Sequence, residues 1–445
     1  MLIPCVVPPS RAIREHMMRQ YLTALLVSAC CALGAAGAAL GDTPPGTLMS
    51  SPVPDTQERP AEFIAWISAF RAEALGQGIS AKTFDDAFRS VKLNQRVIEL
   101  NENQPEFNRA IWAYLDSALS DDRIKRGKEL MRQHRKLLHA SQREYGVPPS
   151  IITAIWAMES NYGKLTGGFN VIEALATLAY QGRRAAFGRE QLLAALKIIE
   201  EGDIGADRMS GSWAGAMGQT QFIPTVYLQY ARDGNGDGKR NLWDTLADVF
   251  ASTANYLQQK SWAEGQPCFD EVRLPAKFNF GEADVSIEKP IREWKDEGVL
   301  RIDGSKLPKS VADLDAALIV PAGHNGPAFL AYPNFKAILA YNNAVSYALA
   351  VCQLAKRFDG GKPIRTPWPR EETPLAARTD RMELQSLLAK RNFDVGEPDG
   401  VIGRRTRQAI REFQKAEGMI QDGYASMDLL VRLRQSGSTG AAATP

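Results

Sequence analysis

Apolar side chains recur at helical spacing from about residue 61 to residue 260. Phe63, Trp66, Ile67, Phe70 and Ala74 stand three and four apart, which lines them along one face of a helix. Leu196, Ile198 and Ile199 belong to another such stripe. The pattern changes over 267–333, where residues 272–274, 317–320 and 329–332 form short apolar runs punctuated by Pro, Gly and Asp. A small strand-containing insert is expected there. Helical spacing returns through 335–357, and Pro and Gly then crowd residues 358–378, which read as a linker. Beyond it, Met382, Leu384, Leu387 and Leu388 mark one short helix, and Thr406, Ala409, Ile410 and Phe413 a second. Leu429, Leu430 and Leu433 mark a third, with Asp399-Gly400 and Asp422-Gly423 as the intervening turns. A unit of this size, 379–435, suits a binding module better than a catalyst. The Gly, Ser and Ala tail 436–445 is expected to be disordered. The fold class is mainly α (α+β).

The N-terminus has a different texture. Arg11, Arg14 and Arg19 precede an Ala- and Leu-rich run over 21–40 that ends in Ala36-Gly37-Ala38 and breaks at Gly41-Asp42-Thr43-Pro44-Pro45. A basic start, a short apolar middle and a small-residue exit describe a signal peptide over 1–38, followed by a Pro-, Thr- and Ser-rich linker over 39–58. The alternative is a membrane anchor, since about 20 apolar residues span a bilayer; the Ala and Gly content favours cleavage. Val27-Ser28-Ala29-Cys30 also resembles a bacterial lipobox, in which Cys30 would carry lipid and tether the chain to the outer membrane. Met17 or Met18 is an alternative start.

At 445 residues, 44% hydrophobic and 23% charged, the chain has room for two or three domains and excludes a disordered, collagen-like or disulfide-dense molecule. The net charge of +2 vanishes once 1–38 is removed, leaving 50 acidic and 50 basic side chains. No nucleic acid is therefore expected as a partner. His16, His134, His139 and His324 are scattered, which argues against a histidine-rich catalytic metal centre. Export would leave Cys268 and Cys352, either bonded to each other or as two buried thiols.

Three stretches carry the candidate chemistry. In the first, Pro148 and Pro149 start a helix and Gly163 is placed to end it, so Glu159 falls in the last turn of an uncharged, largely apolar segment. The helix dipole and the apolar neighbours Ile155, Trp156 and Met158 both work against its ionisation, as a general acid at neutral pH requires. A glutamate at a frayed, solvated helix end is the alternative. The second stretch runs Gly211-Ser212-Trp213-Ala214-Gly215-Ala216-Met217-Gly218-Gln219-Thr220-Gln221. Its small residues let backbone approach a ligand, and Ser212, Gln219 and Gln221 offer hydrogen bonds to a sugar. The third stretch, 233–244, fits an EF-hand-like calcium loop. Its ligands would be Asp233, Asn235, Asp237, the Lys239 carbonyl, Asn241 and Asp244, with Gly238 at the sharp turn. Aspartate stands where glutamate is usual at the last position, and the ion's role would be structural.

Together these motifs resemble the lytic murein transglycosylase B family of peptidoglycan-cleaving enzymes. The resemblance runs from about 63 to 352 and is carried by Pro105-Glu106-Phe107, Tyr114, Val147-Pro148-Pro149, Glu159-Ser160-Asn161-Tyr162-Gly163, the 211–218 run, the 233–244 loop, Ala254-Asn255-Tyr256 and Tyr341-Asn342-Asn343. It implies a lysozyme-like helical catalytic domain over 59–357 and a single acid/base glutamate, Glu159, with no catalytic cofactor. It also implies a glycan cleft lined by Tyr114, Ser212, Gln221, Tyr256, Tyr341, Asn342 and Tyr347. Residues 379–435 resemble the three-helix peptidoglycan-binding module through Leu384-Gln385, Asp399-Gly400, Gly403, Thr406, Ala409-Ile410, Phe413-Gln414 and Asp422-Gly423. The implied activity is cleavage of the bond between N-acetylmuramic acid and N-acetylglucosamine without water, leaving a 1,6-anhydromuramyl end. Its substrate would be periplasmic glycan strands, with other cell-wall enzymes as further partners. The alternatives are a lysozyme-type hydrolase on the same scaffold and a non-catalytic wall-binding scaffold. Ordinary glycoside hydrolysis uses two carboxylates, and no second acid stands out near Glu159 or Ser212.

Overall fold

The computed structural model describes residues 60–102, 109–307, 311–375 and 377–436. The segment 1–38 with Cys30, the linker 39–58, Pro105-Glu106-Phe107 and the tail from 437 lie outside the described residues.

Helices α1 (Ala61–Gly76), α2 (Ala81–Phe88) and α3 (Gln95–Glu102) open the chain, followed by α4 (Ile111–Ala118), α5 (Asp121–Gln133), α6 (Arg135–Tyr145) and α7 (Pro149–Ser160). A short antiparallel ladder, β1 (Phe169–Asn170) with β2 (Ser210–Gly211), brackets α8 (Val171–Tyr180) and α9 (Ala185–Glu200). Helices α10 (Pro224–Tyr230) and α11 (Leu246–Gln259) come next. The chain then divides into two compact units, one joining the residues up to 104 with 156–253, the other joining 105–155 with everything from 254 on.

In the first unit, α8 is buried on nearly every side, which explains its lack of a polar face. The Asn170 side chain caps it by accepting the Glu173 N–H at 3.0 Å. The expected α1 stripe turns inward: Phe63, Phe70 and Ala74 are buried, with Trp66 and Ile67 half-buried. Phe70 packs its ring 6.1 Å from those of Phe84 and Phe88 on α2.

In the second unit, β3 (Phe269–Arg273), β4 (Glu288–Pro290), α12 (Ile291–Asp296), β5 (Leu300–Arg301), β6 (Asp315–Ile319) and β7 (Ala328–Ala331) build an antiparallel sheet in the order β4-β6-β7-β3-β5. Trp294 of α12 is fully buried against it and donates its indole N–H to Ala316 O at 2.9 Å. The helix expected through 335–357 is instead two helices, α13 (Pro333–Tyr341) and α14 (Val345–Phe358), bent by 117°. Asn342 leaves helical geometry at φ −145°, as asparagine readily does where its side chain competes for backbone bonds. Cys268 and Cys352 are disulfide-bonded, with Cα atoms 6.0 Å apart, joining the residue before β3 to α14.

The chain ends in α15 (Arg378–Ala389), α16 (Arg404–Ala416) and α17 (Met427–Ser436), around a core of Leu384, Leu388, Ile410, Phe413, Leu430 and Leu433. Met382, expected on that core face, is 37% exposed. It precedes Leu384 by two positions, about 200° around the helix. Two buried glutamines secure the Asp-Gly turns. Gln385 accepts the Gly400 N–H (2.7 Å) and donates to Asp399 (3.0 Å); Gln414 does the same with Gly423 (2.9 Å) and Asp422 (2.7 Å). Both glycines have positive φ, 78° and 69°. The module is held to the sheet insert by Asp422, whose Oδ2 accepts the His324 N–H (3.0 Å) and lies 2.6 Å from its Nδ1. Arg411 adds a bond to Ala283 O at 3.1 Å. The linker 358–378 is pinned at Arg365 and Thr366, whose N–H groups Glu271 of β3 accepts at 2.9 and 2.7 Å.

Candidate active site

Glu159 sits one residue before the end of α7 and is 2% exposed. The backbone beyond it turns sharply: Asn161, Tyr162 and Gly163 all take positive φ, 47°, 61° and 81°. The Ser160 hydroxyl spans the turn, donating to Trp156 O (3.2 Å) and accepting the Gly163 N–H (3.0 Å). Trp156, one turn before Glu159, is itself clamped. Its Nε1–H donates to Gln219 Oε1 at 2.7 Å, while Gln219 Nε2–H donates to Trp243 O at 2.7 Å and the Gln219 N–H to Leu242 O at 2.8 Å. The Trp156 ring meets Tyr162 and Phe250 edge-on at 5.5 and 5.2 Å. Gln219, expected to face a sugar, is thus a positioning residue for the glutamate-bearing helix.

The 211–221 loop packs against its own backbone. Ser212 is 7% exposed and its Oγ accepts the Ala216 N–H at 3.0 Å, while its N–H donates to Ala216 O at 2.7 Å. Gln221, at φ 52°, donates from Nε2 to Thr166 O (3.0 Å) and Gly218 O (2.9 Å). A Cβ at Gly167 would fall 2.1 Å from the Gly211 carbonyl, and one at Gly218 would fall 2.6 Å from Leu242 O. Small residues are required here by backbone contact. Glu159, Ser212 and Gln221 belong to the first unit; Tyr114, Tyr256, Tyr341, Asn342 and Tyr347 belong to the second. Within the second, the Tyr256 and Tyr341 rings meet at 5.0 Å and Tyr256 Oη–H donates to Ala340 O at 2.5 Å. Asn342 lies in the α13–α14 bend and Tyr347 is buried on α14.

Other buried carboxylates of the first unit are Asp203 and Asp248, and both are committed. Asp203 Oδ2 accepts both Nε–H (2.9 Å) and Nη2–H (2.6 Å) of Arg240, and its Oδ1 accepts the Arg240 N–H at 2.9 Å. Asp248 accepts the N–H groups of Gly234 (2.8 Å) and Asn241 (2.7 Å) and is pushed up to about 6 by burial, aided by the charges of Asp233 and Asp237. Sequence reasoning missed these two: Asp248 stands alone in an apolar run, whereas Asp203, flanked by Glu200, Glu201 and Asp207, reads as a surface acid.

In the 233–244 loop, Asp233 accepts the N–H groups of Gly236 (2.7 Å), Asp237 (3.2 Å) and Gly238 (2.7 Å). Burial opposes its charge, yet the backbone N–H groups of Gly238, Gly236, Asp237 and Asn235 together hold its carboxyl below the ordinary value. Gly236 and Gly238 take φ 79° and 84°. Asp244 is turned to Arg208, and no group of three or more His, Cys, Asp or Glu side chains among the described residues is gathered as a metal site. The donor chemistry, three carboxylates with two amides and a carbonyl, fits a hard cation such as calcium.

A lysozyme-like helical body with a buried glutamate closing an apolar helix, followed by a three-helix module, defines a peptidoglycan-cleaving enzyme. Residues 62–356 match the transglycosylase SLT domain family, to which this chain belongs, and residues 377–433 match the peptidoglycan binding domain. The chain is a lytic transglycosylase of peptidoglycan. It is similar to SltB3 from Pseudomonas aeruginosa, solved in complex with NAG-anhNAM-pentapeptide: 51% identity, 84% of this chain and 99% of that one, TM-score 0.82. The membrane-bound lytic murein transglycosylase B of Escherichia coli (strain K12) is 28% identical over 305 residues, covering 63% of this chain and 78% of that protein. The Escherichia coli lytic transglycosylase Slt35, solved in complex with calcium, is 27% identical over 70% of this chain and 98% of that one, with TM-score 0.59.

Proposed function

We propose that Glu159 performs the whole of the acid/base chemistry. The observation that carries this reading is a carboxyl 2% exposed, at the carbonyl end of an apolar helix. That placement works against its charge. Glu159 donates a proton to the glycosidic oxygen between N-acetylmuramic acid and N-acetylglucosamine, and the bond to the muramyl C1 breaks. The muramyl acetamido group assists the oxocarbenium-like centre. Glu159, now a base, takes the proton of the muramyl O6 hydroxyl, whose oxygen bonds to C1. Water is not consumed, and Glu159 ends protonated as it began. Tyr114, Ser212, Gln221, Tyr256, Tyr341, Asn342 and Tyr347 are assigned to the glycan, the aromatic rings by stacking on sugar faces. The complex of the similar SltB3 with an anhydromuramyl product supports the lyase reading over the hydrolase one.

The 233–244 loop is assigned to calcium, with Asp233, Asn235, Asp237, the Lys239 carbonyl, Asn241 and Asp244 as its ligands; the calcium complex of Slt35 supports this. The ion would supply local rigidity and takes no part in bond breaking. Export to the periplasm by the signal peptide over 1–38 completes the reading; processing at Val27-Ser28-Ala29-Cys30, which would instead leave Cys30 as a lipid anchor, is the alternative.

The test is mass spectrometry of muropeptides released from purified sacculi in labelled water. Unlabelled anhydromuramyl ends are expected, and Glu159→Gln is expected to lower their release by at least 1,000-fold, roughly the upper range for an acid/base group, while sacculus binding persists. Reducing ends carrying label, or undiminished turnover in the variant, would overturn the assignment.

A further inference from the structure

A cavity of about 450 Å³ opens inside the second unit, where the insert, the α13–α14 bend and the C-terminal module meet. Three arginines line it: Arg109 ahead of α4, and Arg407 and Arg411 on α16. Two acids share the wall, but their own bonds occupy them. Asp284 accepts the Ser286 N–H (3.0 Å) and hydroxyl (2.7 Å); Asp422 is taken by His324, Gln414 and the Tyr424 N–H. What they leave for the arginines is thin, since Arg407 Nε stands 4.0 Å from Asp284.

Arg411 is the more exacting case. It is 6% exposed, donates to Ala283 O alone among the described residues, and its Nε has no acceptor there. Burial, with Arg407 beside it, lowers its pKa from the ordinary value despite the pull of Asp284 and Asp422. A guanidinium buried with most of its five N–H groups unused gains strongly from a carboxylate that can accept two of them. Apolar side chains also line the cavity, Ile319, Val320, Pro321 and Val345 among them. Asn343 and Ser346 complete it from the segment that also carries Tyr341, Asn342 and Tyr347.

We propose that this cavity seats the peptide stem of peptidoglycan, with Arg407 and Arg411 holding a stem carboxylate, Arg109 adding positive charge, and the apolar side chains taking an alanine methyl. The inference deepens the reading of the chain as a peptidoglycan lyase and rests on it for its ligand class. A stem peptide alternates methyl side chains with free carboxylates, which is the pattern of the walls. The C-terminal module thereby reads the peptide, while the tyrosines of the α13–α14 segment read the sugar.

The test is calorimetric titration of the full chain with the free stem tetrapeptide, L-alanyl-D-γ-glutamyl-meso-diaminopimelyl-D-alanine. Saturable binding is expected, weakened at least fivefold by Arg407→Gln and by amidation of the peptide's carboxyls. Arg405→Gln is the control: its side chain bonds Asp394 at 2.9 Å and does not line the cavity, so affinity should hold. Absence of saturable binding, indifference to Arg407→Gln or to amidation, or an equal loss in Arg405→Gln would each overturn the proposal. Because no glycosidic bond is cut, these results are independent of whether Glu159 is the acid.

Discussion

Gly163 answers to two constraints at once. Its φ of 81° is costly for any side chain, and a Cβ there would lie 2.4 Å from Gln219 Oε1, the atom that receives the Trp156 indole N–H. Gly163→Ala should therefore strain the turn and displace the clamp, costing about 2–3 kcal/mol in denaturant unfolding. Turnover should fall with it, because the clamp holds the helix one turn before Glu159. Gly168 is a matched control, with no positive φ and nothing within 4 Å of an added Cβ; Gly168→Ala should stay within about 0.5 kcal/mol. Full activity in Gly163→Ala would mean that the Trp156–Gln219 bond does not position the acid. The place of Glu159 in the last turn of α7 was legible from sequence because it is the sole charge in an apolar helix. Gln219 was not, because a glutamine in a small-residue loop offers the same donors to a sugar and to a neighbouring indole, and only geometry separates the two.

Elements were read from sequence where one period governs them and missed where the cause is distant. The α1 stripe and the three helices of the C-terminal module follow from 3.6-residue spacing. The strands β4 and β5 are three and two residues long, too short for any alternation to register. The break between α13 and α14 interrupts an apolar pattern that continues on both sides. Covalent pairing of Cys268 with Cys352 spans 84 residues, a separation that sequence cannot convert to proximity. A closed loop of that length should contribute about 4.5 kcal/mol in the chain-entropy account. Cys352→Ser should lose that amount in guanidinium titration, and an unchanged midpoint would show that the noncovalent contacts already fix α14 to the sheet. The 233–244 loop gives a second test at this scale. Asp244 is held by Arg208, so a calcium ion bound as proposed would have to compete with Arg208 for that carboxylate. Calcium should raise the melting temperature relative to chelator, and Arg208→Ala should tighten calcium binding severalfold. Identical melts with and without calcium would return the loop to an ordinary turn.

At the scale of the whole molecule, two modules were visible as separate blocks of sequence, but the joint between the insert and the C-terminal module was not. Ala283, Asp284 and His324 on one side and Arg407, Arg411 and Asp422 on the other are each unremarkable in their local pattern, and their partnership exists only in three dimensions. Asp284 makes this joint sensitive to acid. Burial opposes its charge, but the Ser286 N–H and hydroxyl, and then Arg407 and Arg411, outweigh that cost and hold its carboxyl below the ordinary aspartate value. A group depressed on folding contributes its full stabilisation above the unfolded value, about pH 4, and loses it as pH falls through the lower folded value. Asp284→Asn should therefore be less stable than the parent by about 1–2 kcal/mol, with a constant gap from pH 5 to pH 8. Below pH 4 the parent should weaken toward the variant, and the two melting curves should converge. A gap that persists unchanged into that acid range would mean that the shape of Asp284, and not its charge, holds the module in place.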